Sequence, residues 1–252
     1  MERKIRVGAV SYLNTKPLIY AFENRRMQDE IELVSDYPAN IATALLNNEI
    51  DIGLIPVAVI PLLKQHYIIS DYGIGASNAV ASVCLFSDVP LAEITHVLVD
   101  YQSRTSAELL KILLKHHWRI SPVLIDTENG YQQAIKGTTA GLVIGDRALR
   151  QRKHSKYIYD LALAWQEMTS LPFLFAAWVA NKKLPDIFIK NFNEATAEGL
   201  QHIAEIVKAH PFADYDLETY YTNNIDYNLN AGKQEALKLF LQYLSIQENV
   251  KQ

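Results

Sequence analysis

The sequence lacks the features that mark several large classes of protein. One cysteine among 252 residues excludes an intramolecular disulfide framework. No segment approaches the ~20 apolar residues needed to span a bilayer, and the apolar stretch near the N-terminus is too short for the core of a signal peptide. The net charge is only −4, and no basic stripe suits nucleic-acid phosphates. We therefore expect a cytoplasmic protein with no nucleic-acid or membrane partner.

Motifs for common cofactors and nucleophiles are also missing. There is no Walker loop, no G-x-G-x-x-G after a strand, no G-x-S-x-G and no H-E-x-x-H. The pair His116 and His117 lies at the end of an amphipathic segment, where a solvated helix end is a better interpretation than a metal site. Cys84, within an apolar run, is more typical of a buried strand than of a nucleophile. We expect no metal and no cofactor.

The first part of the chain alternates strand-like and helix-like segments. Strands are predicted at Ile5–Val10, Ile31–Val34 and Asp51–Val57, with helices at Pro17–Met27 and Ile41–Asn48 between them. This βαβαβ order is typical of a parallel sheet with both faces covered. The expected fold class is α/β.

A second α/β unit begins near residue 90, and helices end the chain. The predicted elements are strands at His96–Asp100, Pro122–Ile125, Gly141–Ile144 and Phe173–Ala180, and helices at Ser103–His116, Tyr131–Ile135, Asp186–His210, Asp216–Asn223 and Lys233–Gln247. No flexible linker separates the two units, so we expect the chain to cross between them near residues 85–95 and 168–175. The prediction is one discontinuous lobe, 1–88 with 173–252, and one inserted lobe, 89–172, with a ligand in the cleft between them.

Short polar side chains follow the first predicted strand. Ser11, Asn14 and Thr15 precede Pro17, which suits a first helical turn. Free backbone N–H groups at such a turn favour an anion. Capping of the helix by Asn14 or Thr15 is an equally good explanation from the residues alone.

A second polar segment opens the helix after the strand at His96–Asp100. Ser103, Thr105 and Ser106 offer three hydroxyls where one cap is enough, and the helix dipole favours a carboxylate there. We predict that they hold a substrate carboxylate. Arg104 either pairs with a carboxylate or points to solvent.

Two weaker segments complete the predicted site. Ser77, Asn78 and Ser82 surround the entrance of a strand, and Gly145 and Asp146 start a helix after another. Asp146 is either a cap or a ligand contact. Two helix starts from opposite lobes would suit a ligand with two carboxylates.

The residues above lie in motifs that resemble one family. V-S-Y-L-N-T-K-P-L (10–18) is similar to the N-terminal motif of the chorismate dehydratases of the futalosine route to menaquinone. Further motifs follow in that family's order: L-N-N-E-I-D-I-G-L-I-P-V (46–57), S-V-C-L-F-S (82–87), S-R-T-S (103–106), L-V-I-G-D-R-A-L (142–149), W-Q-E-M-T-S-L-P-F-L-F-A-A-W (165–178) and Y-Y-T-N-N-I-D-Y-N-L (220–229). The resemblance covers essentially the whole chain.

The resemblance implies a two-lobed, periplasmic-binding-protein-like fold of type II, the venus-flytrap fold, used as an enzyme. It implies chorismate as the small-molecule substrate. We predict Asn14 as the catalytic residue, because its amide lies at a strand-to-helix turn of the N-terminal motif and can both donate and accept. Pro56 is predicted as a further substrate contact, and the protein as a monomer or homodimer. Ala79 and Ala81 depart from the pattern, because a more glycine-like approach to the ligand is expected there. The alternatives are a non-catalytic small-anion-binding or sensor protein on this fold, and the sister enzyme 1,4-dihydroxy-6-naphthoate synthase.

The motifs contain few candidates for a general base. Asp146 is the preferred candidate and Asp51 the second, and no histidine lies in the motifs. Chorismate itself carries a carboxylate on its enolpyruvyl group, beside the proton to be removed. We therefore predict that the substrate supplies the base and that Asp146 has a structural or positioning role.

Overall fold

The computed structural model describes residues 3–249, so residues 1–2 and 250–252 of the predicted first lobe lie outside the described residues. Strands in this part of the chain are β1 (Ile5–Val10), β2 (Ile31–Asp36), β3 (Ile52–Pro56), β4 (Tyr67–Ala76), β5 (Val83–Ser87), β6 (His96–Val99), β7 (Val123–Asp126), β8 (Thr139–Ile144), β9 (Tyr157–Asp160), β10 (Phe173–Ala180) and β11 (Asp226–Asn228). The α-helices are α1 (Lys16–Glu23), α2 (Pro38–Leu46), α3 (Thr105–Leu113), α4 (Gly145–Gln151), α5 (Leu161–Thr169), α6 (Asp186–Leu200), α7 (Ile203–Ala209), α8 (Leu217–Thr219) and α9 (Ala231–Asn249). Within residues 3–249, no helix is both long and apolar enough to cross a membrane.

The first sheet has six strands in the order β11-β4-β10-β3-β1-β2. β1 pairs in parallel with both β2 and β3, which confirms the predicted βαβαβ opening. β10 returns from the second half of the chain and pairs antiparallel with β3 and β4. All eight of its residues are buried, as expected for a continuous apolar run at the centre of a covered sheet.

The second sheet has five strands in the order β7-β6-β8-β5-β9. β6 is parallel to β7 and β8, while β5 runs antiparallel to β8 and β9. The fold is therefore α/β with two mixed sheets, each the centre of one lobe.

The chain passes from the first sheet to the second between Ala76 and Val83, and returns between Thr169 and Phe173. The predicted division after residue 88 assigns Val83–Ser87 to the first lobe, whereas this strand pairs in the second sheet. All five of its residues are buried and mostly apolar. Such a pattern predicts a buried strand but not the sheet that it joins.

Several helices differ in length from the sequence prediction. α1 ends at Glu23 rather than Met27, because Arg25 and Met27 have left-handed backbone angles of 68° and 59°. The helix predicted at Asp186–His210 divides into α6 and α7. The sequence also gave no prediction of β4, β9, β11 or α5.

Candidate active site

A cavity lies between the two sheets and is lined from both. Its polar lining consists of Tyr12, Asn14, Ser82, Gln102, Ser103, Arg104, Thr105 and Ser106, and its apolar lining includes Val10, Pro56, Ile74, Ile144 and Phe175. Gly145 also borders it. The cavity therefore brings together Asn14, Pro56, Ser82, the segment 103–106 and Gly145 from the predicted site.

The first lobe contributes the turn between β1 and α1. Asn14 lies in a single 3₁₀ turn, Leu13–Thr15, and is only 8% exposed. Its backbone carbonyl accepts a hydrogen bond from the Tyr227 hydroxyl at 3.0 Å, which fixes the turn. No side chain caps the start of this turn or of α1. Helix capping therefore does not account for Asn14 or Thr15.

The second lobe contributes the start of α3. Ser103 Oγ accepts the Ser106 backbone N–H at 3.1 Å, so Ser103 is the residue that satisfies this helix start. Thr105 Oγ1 accepts the Ala58 backbone N–H at 3.2 Å and thereby links the lobes. A hydroxyl that accepts in this way still has its own proton to donate. Arg104 is exposed at the cavity margin.

The segment between β4 and β5 places Ser82 in the cavity wall. Asp160 accepts the backbone N–H groups of Val80 at 3.2 Å and of Ala81 at 2.8 Å. Ala81 has a φ of 62°, a left-handed conformation that favours glycine. The Ser82 carbonyl in turn accepts the Gly145 N–H at 2.8 Å. An alanine therefore occupies a backbone conformation that glycine adopts more readily.

Three predicted ligand contacts lie outside this cavity. Ser11 is exposed, and its backbone N–H extends the pairing of β1 by donating to the Asp36 carbonyl at 3.0 Å. Asn78 is exposed as well. Ser77 donates its hydroxyl to Asp226 at 2.6 Å. Its hydroxyl is therefore used within the first lobe.

Asp146 is also absent from the cavity lining. Its Oδ1 accepts the Leu13 backbone N–H at 3.1 Å, so the carboxylate links the start of α4 to the opposite lobe. Burial raises its pKa, because desolvation disfavours the charged form, although the Leu13 N–H acts in the other direction.

A polar network between the lobes was not predicted. The Tyr12 hydroxyl donates to Gln102 Oε1, which also accepts from Arg147 Nη2 at 2.8 Å. Arg147 pairs with Asp100 at 2.9 Å, and the Tyr131 hydroxyl donates to the same carboxylate at 2.7 Å. Tyr12 and Gln102 both lie in the segments that the sequence singled out, next to Ser11 and Ser103, but neither was itself predicted as a site residue.

The isolated cysteine and the histidine pair have the expected surroundings. Cys84 is fully buried on β5, and burial raises the pKa of its thiol well above the ordinary value. His117 lies 3.2 Å from Glu167 at the end of the π-helical turn Leu114–Trp118. Residues 3–249 contain no group of three or more His, Cys, Asp or Glu arranged to hold a metal ion.

Comparison with known sequences identifies relatives along the whole chain. A family model described as menaquinone biosynthesis matches residues 5–245. A chorismate dehydratase of Thermus thermophilus is 25% identical, and the match covers 95% of each chain. A chorismate dehydratase of Campylobacter jejuni is also 25% identical, over 93% of this chain and 95% of the relative.

Comparison with solved structures identifies the fold. A protein of Archaeoglobus fulgidus matches with a TM-score of 0.75 at 18% identity, over 97% of this chain and 98% of its own. The alkanesulfonate-binding protein SsuA of Xanthomonas axonopodis pv. citri, bound to MOPS, matches with a TM-score of 0.68 at 12% identity, over 97% and 92%. The fold is therefore the two-lobed, periplasmic-binding-protein-like fold that the resemblance implied.

Proposed function

Since the chain belongs to the menaquinone-biosynthesis family, we propose that it is a chorismate dehydratase of the futalosine route, a carbon–oxygen lyase that converts chorismate into 3-[(1-carboxyvinyl)oxy]benzoate. The observation that carries the proposal is the cavity, whose amide and hydroxyl lining suits a small dicarboxylate. Two relatives named chorismate dehydratase, each matched over 95% of its own length, support it.

The proposed reaction breaks the C3–H and C4–O bonds, the proton and the hydroxyl leave together as one water, and the ring becomes aromatic. The C1 carboxylate is conjugated with the carbanion at C3, so negative charge spreads onto its oxygens. Hydrogen-bond donors placed around those oxygens would stabilise this charge. Such donors are the groups that the cavity offers.

The lining residues divide into two sets of donors. Asn14, from the first lobe, supplies a side-chain amide at a turn fixed by Tyr227. Thr105 and Ser106, from the second, supply hydroxyls at the positive end of the α3 dipole. We assign the developing charge to Asn14 and the other carboxylate to Thr105 and Ser106.

The base in this proposal is the enolpyruvyl carboxylate of the substrate. Asp146 accepts the Leu13 N–H and is absent from the cavity lining, so it is poorly placed to reach C3. A carboxylate tethered beside the proton has the advantage of an intramolecular reaction. The protein then orients the substrate and stabilises charge.

The decisive experiment incubates purified protein with chorismate and follows the products by absorbance and mass spectrometry. The expected result is loss of one water and appearance of an aromatic product. A binding protein on this fold, like the alkanesulfonate-binding neighbour, would leave chorismate intact, and so would a naphthoate synthase.

The proposal includes a cytoplasmic location and a monomeric or homodimeric state, to be tested by fractionation and light scattering.

A further inference from the structure

Tyr220 lies directly behind the cavity wall. It opens the π-helical turn Tyr220–Asn224 and is fully buried. Its hydroxyl donates to Ser82 Oγ at 2.7 Å. Ser82 is also fully buried and lines the cavity, whereas Tyr220 does not line it. The contact therefore joins the C-terminal tyrosine-rich segment to a polar group of the candidate site.

The direction of this hydrogen bond determines what the Ser82 hydroxyl is free to do. A serine hydroxyl has one proton and two acceptor lone pairs. Once Ser82 accepts from Tyr220, its own proton remains to be donated. Within residues 3–249, the Ser82 side chain donates to no protein acceptor, since its one side-chain hydrogen bond is the bond that it accepts from Tyr220. Because Ser82 lines the cavity, a ligand oxygen that accepts this proton would lie in the cavity.

Tyr220 is suited to act as a constant donor. Burial is the largest influence on the pKa of this hydroxyl and raises it well above the ordinary value of 10.0, although the side-chain hydrogen bonds with Ser82 and Asn14 act in the other direction. The group therefore keeps its proton over the working pH range. Its ring is held by neighbouring aromatic rings, with Tyr215 edge-on at 6.1 Å between ring centroids. The backbone of Ser82 is fixed by its bond from Gly145. Both partners are thus rigidly placed.

We infer that Tyr220 is a positioning residue that acts through Ser82. Its hydroxyl holds the Ser82 hydroxyl so that the serine proton is donated to an oxygen of the anionic ligand in the cavity. The identity of that ligand as chorismate rests on the proposed function.

Tyr221 provides a matched control in the same turn. Its side chain is 2% exposed, and its hydroxyl is buried with no hydrogen-bond partner within residues 3–249. Tyr221→Phe therefore removes the same atom from the adjacent residue without touching Ser82. A general sensitivity of this turn would affect both substitutions alike.

The test compares Tyr220→Phe with Tyr221→Phe by chorismate turnover and thermal unfolding. We expect roughly 10-fold lower kcat/KM for Tyr220→Phe, the scale of one weakened transition-state contact, and a value within about twofold of wild type for Tyr221→Phe. Equal kcat/KM in the two folded variants would overturn the inference and leave the proposed function standing. Failure of the wild-type protein to consume chorismate would overturn the proposed function and the inference that rests on it.

A second comparison separates action through Ser82 from a structural role. If the two hydroxyls act together, Tyr220→Phe causes less than about threefold further loss in a Ser82→Ala background. Losses that multiply in the double variant would contradict the inference. This comparison also serves if Tyr220→Phe alone fails to fold, because replacing both partners leaves no buried hydroxyl unpaired.

Discussion

The two helices that start beside the cavity from the second lobe, α3 and α4, differ in what they present. The start of α3 presents the hydroxyls of Thr105 and Ser106 to the cavity. The start of α4 presents only Gly145, while the Asp146 carboxylate is bonded to the Leu13 N–H of the opposite lobe. Both are strand-to-helix turns rich in polar residues, and the sequence predicted ligand contacts at both.

The difference follows from charge. A carboxylate facing the cavity would repel an anionic ligand, whereas hydroxyls and backbone N–H groups attract it. Turned away, Asp146 satisfies a backbone donor of the first lobe instead. In this fold a neutral helix start is suited to bind the ligand, and an acidic one is suited to hold the lobes together. The predictions below test that division.

The largest effect on turnover is expected at Asn14, whose side-chain amide lines the cavity from the first lobe, whereas α3 lines it from the second. Asn14→Ala should lower kcat for chorismate by roughly 10²-fold or more, because it removes one donor to the developing charge. Steady-state turnover of folded protein measures this. Asn78→Ala is the matched control, since Asn78 is exposed outside the cavity, and it should retain wild-type kcat. Near wild-type kcat in Asn14→Ala would refute the assignment.

A smaller effect, on binding, is expected at the start of α3. Replacing Thr105 with Val and Ser106 with Ala removes two hydroxyls from the cavity and should raise KM by roughly 10-fold, with a weaker affinity for the product. Titration calorimetry with product gives the affinity directly. Ser121→Ala, at an exposed serine, should leave KM unchanged. A ligand-bound structure with both carboxylates at least ~6 Å from this turn, beyond hydrogen-bond reach, would contradict the assignment.

At the start of α4 the expected effect is on stability. Gly145 has a φ of 63°, and an added Cβ would lie 3.0 Å from the Tyr12 ring. Gly145→Ala should therefore cost about 1 kcal/mol or more, which lowers Tm by roughly 2–4 °C per kcal/mol at this chain length. Thermal unfolding measures this, and Gly137→Ala is the control for backbone strain alone, since Gly137 has a similar φ of 58° in open space. An equal loss in both variants would mean that the Tyr12 ring contributes nothing.

The sequence predicted those parts of the fold that depend on local pattern. The strands β1 and β10 have the predicted bounds, Ile5–Val10 and Phe173–Ala180, because their mostly apolar segments end directly at the polar residues Ser11 and Asn181. β11 was missed because three residues are too few to show the alternation of apolar and polar side chains that indicates a strand. The sheet that Val83–Ser87 joins depends on pairing with β8 and β9, which no local pattern encodes.

The same limit applies to the candidate site. The cluster at 103–106 was found because three hydroxyls exceed what one cap needs. Tyr12 and Gln102 were missed because they are 90 positions apart in the sequence and come into contact only where the two lobes pack together. Ser11 and Ser77 were assigned to the ligand because a sequence does not show the direction in which a side chain points.

The smallest effect on turnover is expected at Asp146, and its test also examines the source of the base. Asp146→Asn keeps an oxygen that can accept the Leu13 N–H, so we expect turnover within about threefold of wild type. Burial raises the pKa of this carboxyl, so the native state binds its proton more tightly than the unfolded chain does. The raised pKa therefore lowers the free energy of unfolding of the wild-type protein. This decrease is absent below the ordinary carboxylate pKa of about 4 and grows as pH rises through the raised value.

Asn does not titrate, so the Tm of Asp146→Asn minus that of wild type should increase with pH across that window. A difference that stays constant with pH would show that Asp146 gains no proton affinity on folding.

A chorismate analogue without the enolpyruvyl carboxylate should bind but not react, because the internal base is gone. If Asp146→Asn binds chorismate without turnover while the analogue reacts at a rate comparable to chorismate, the base belongs to the protein. Asp146 would then act on the ligand, and the division between the two helix starts would fail.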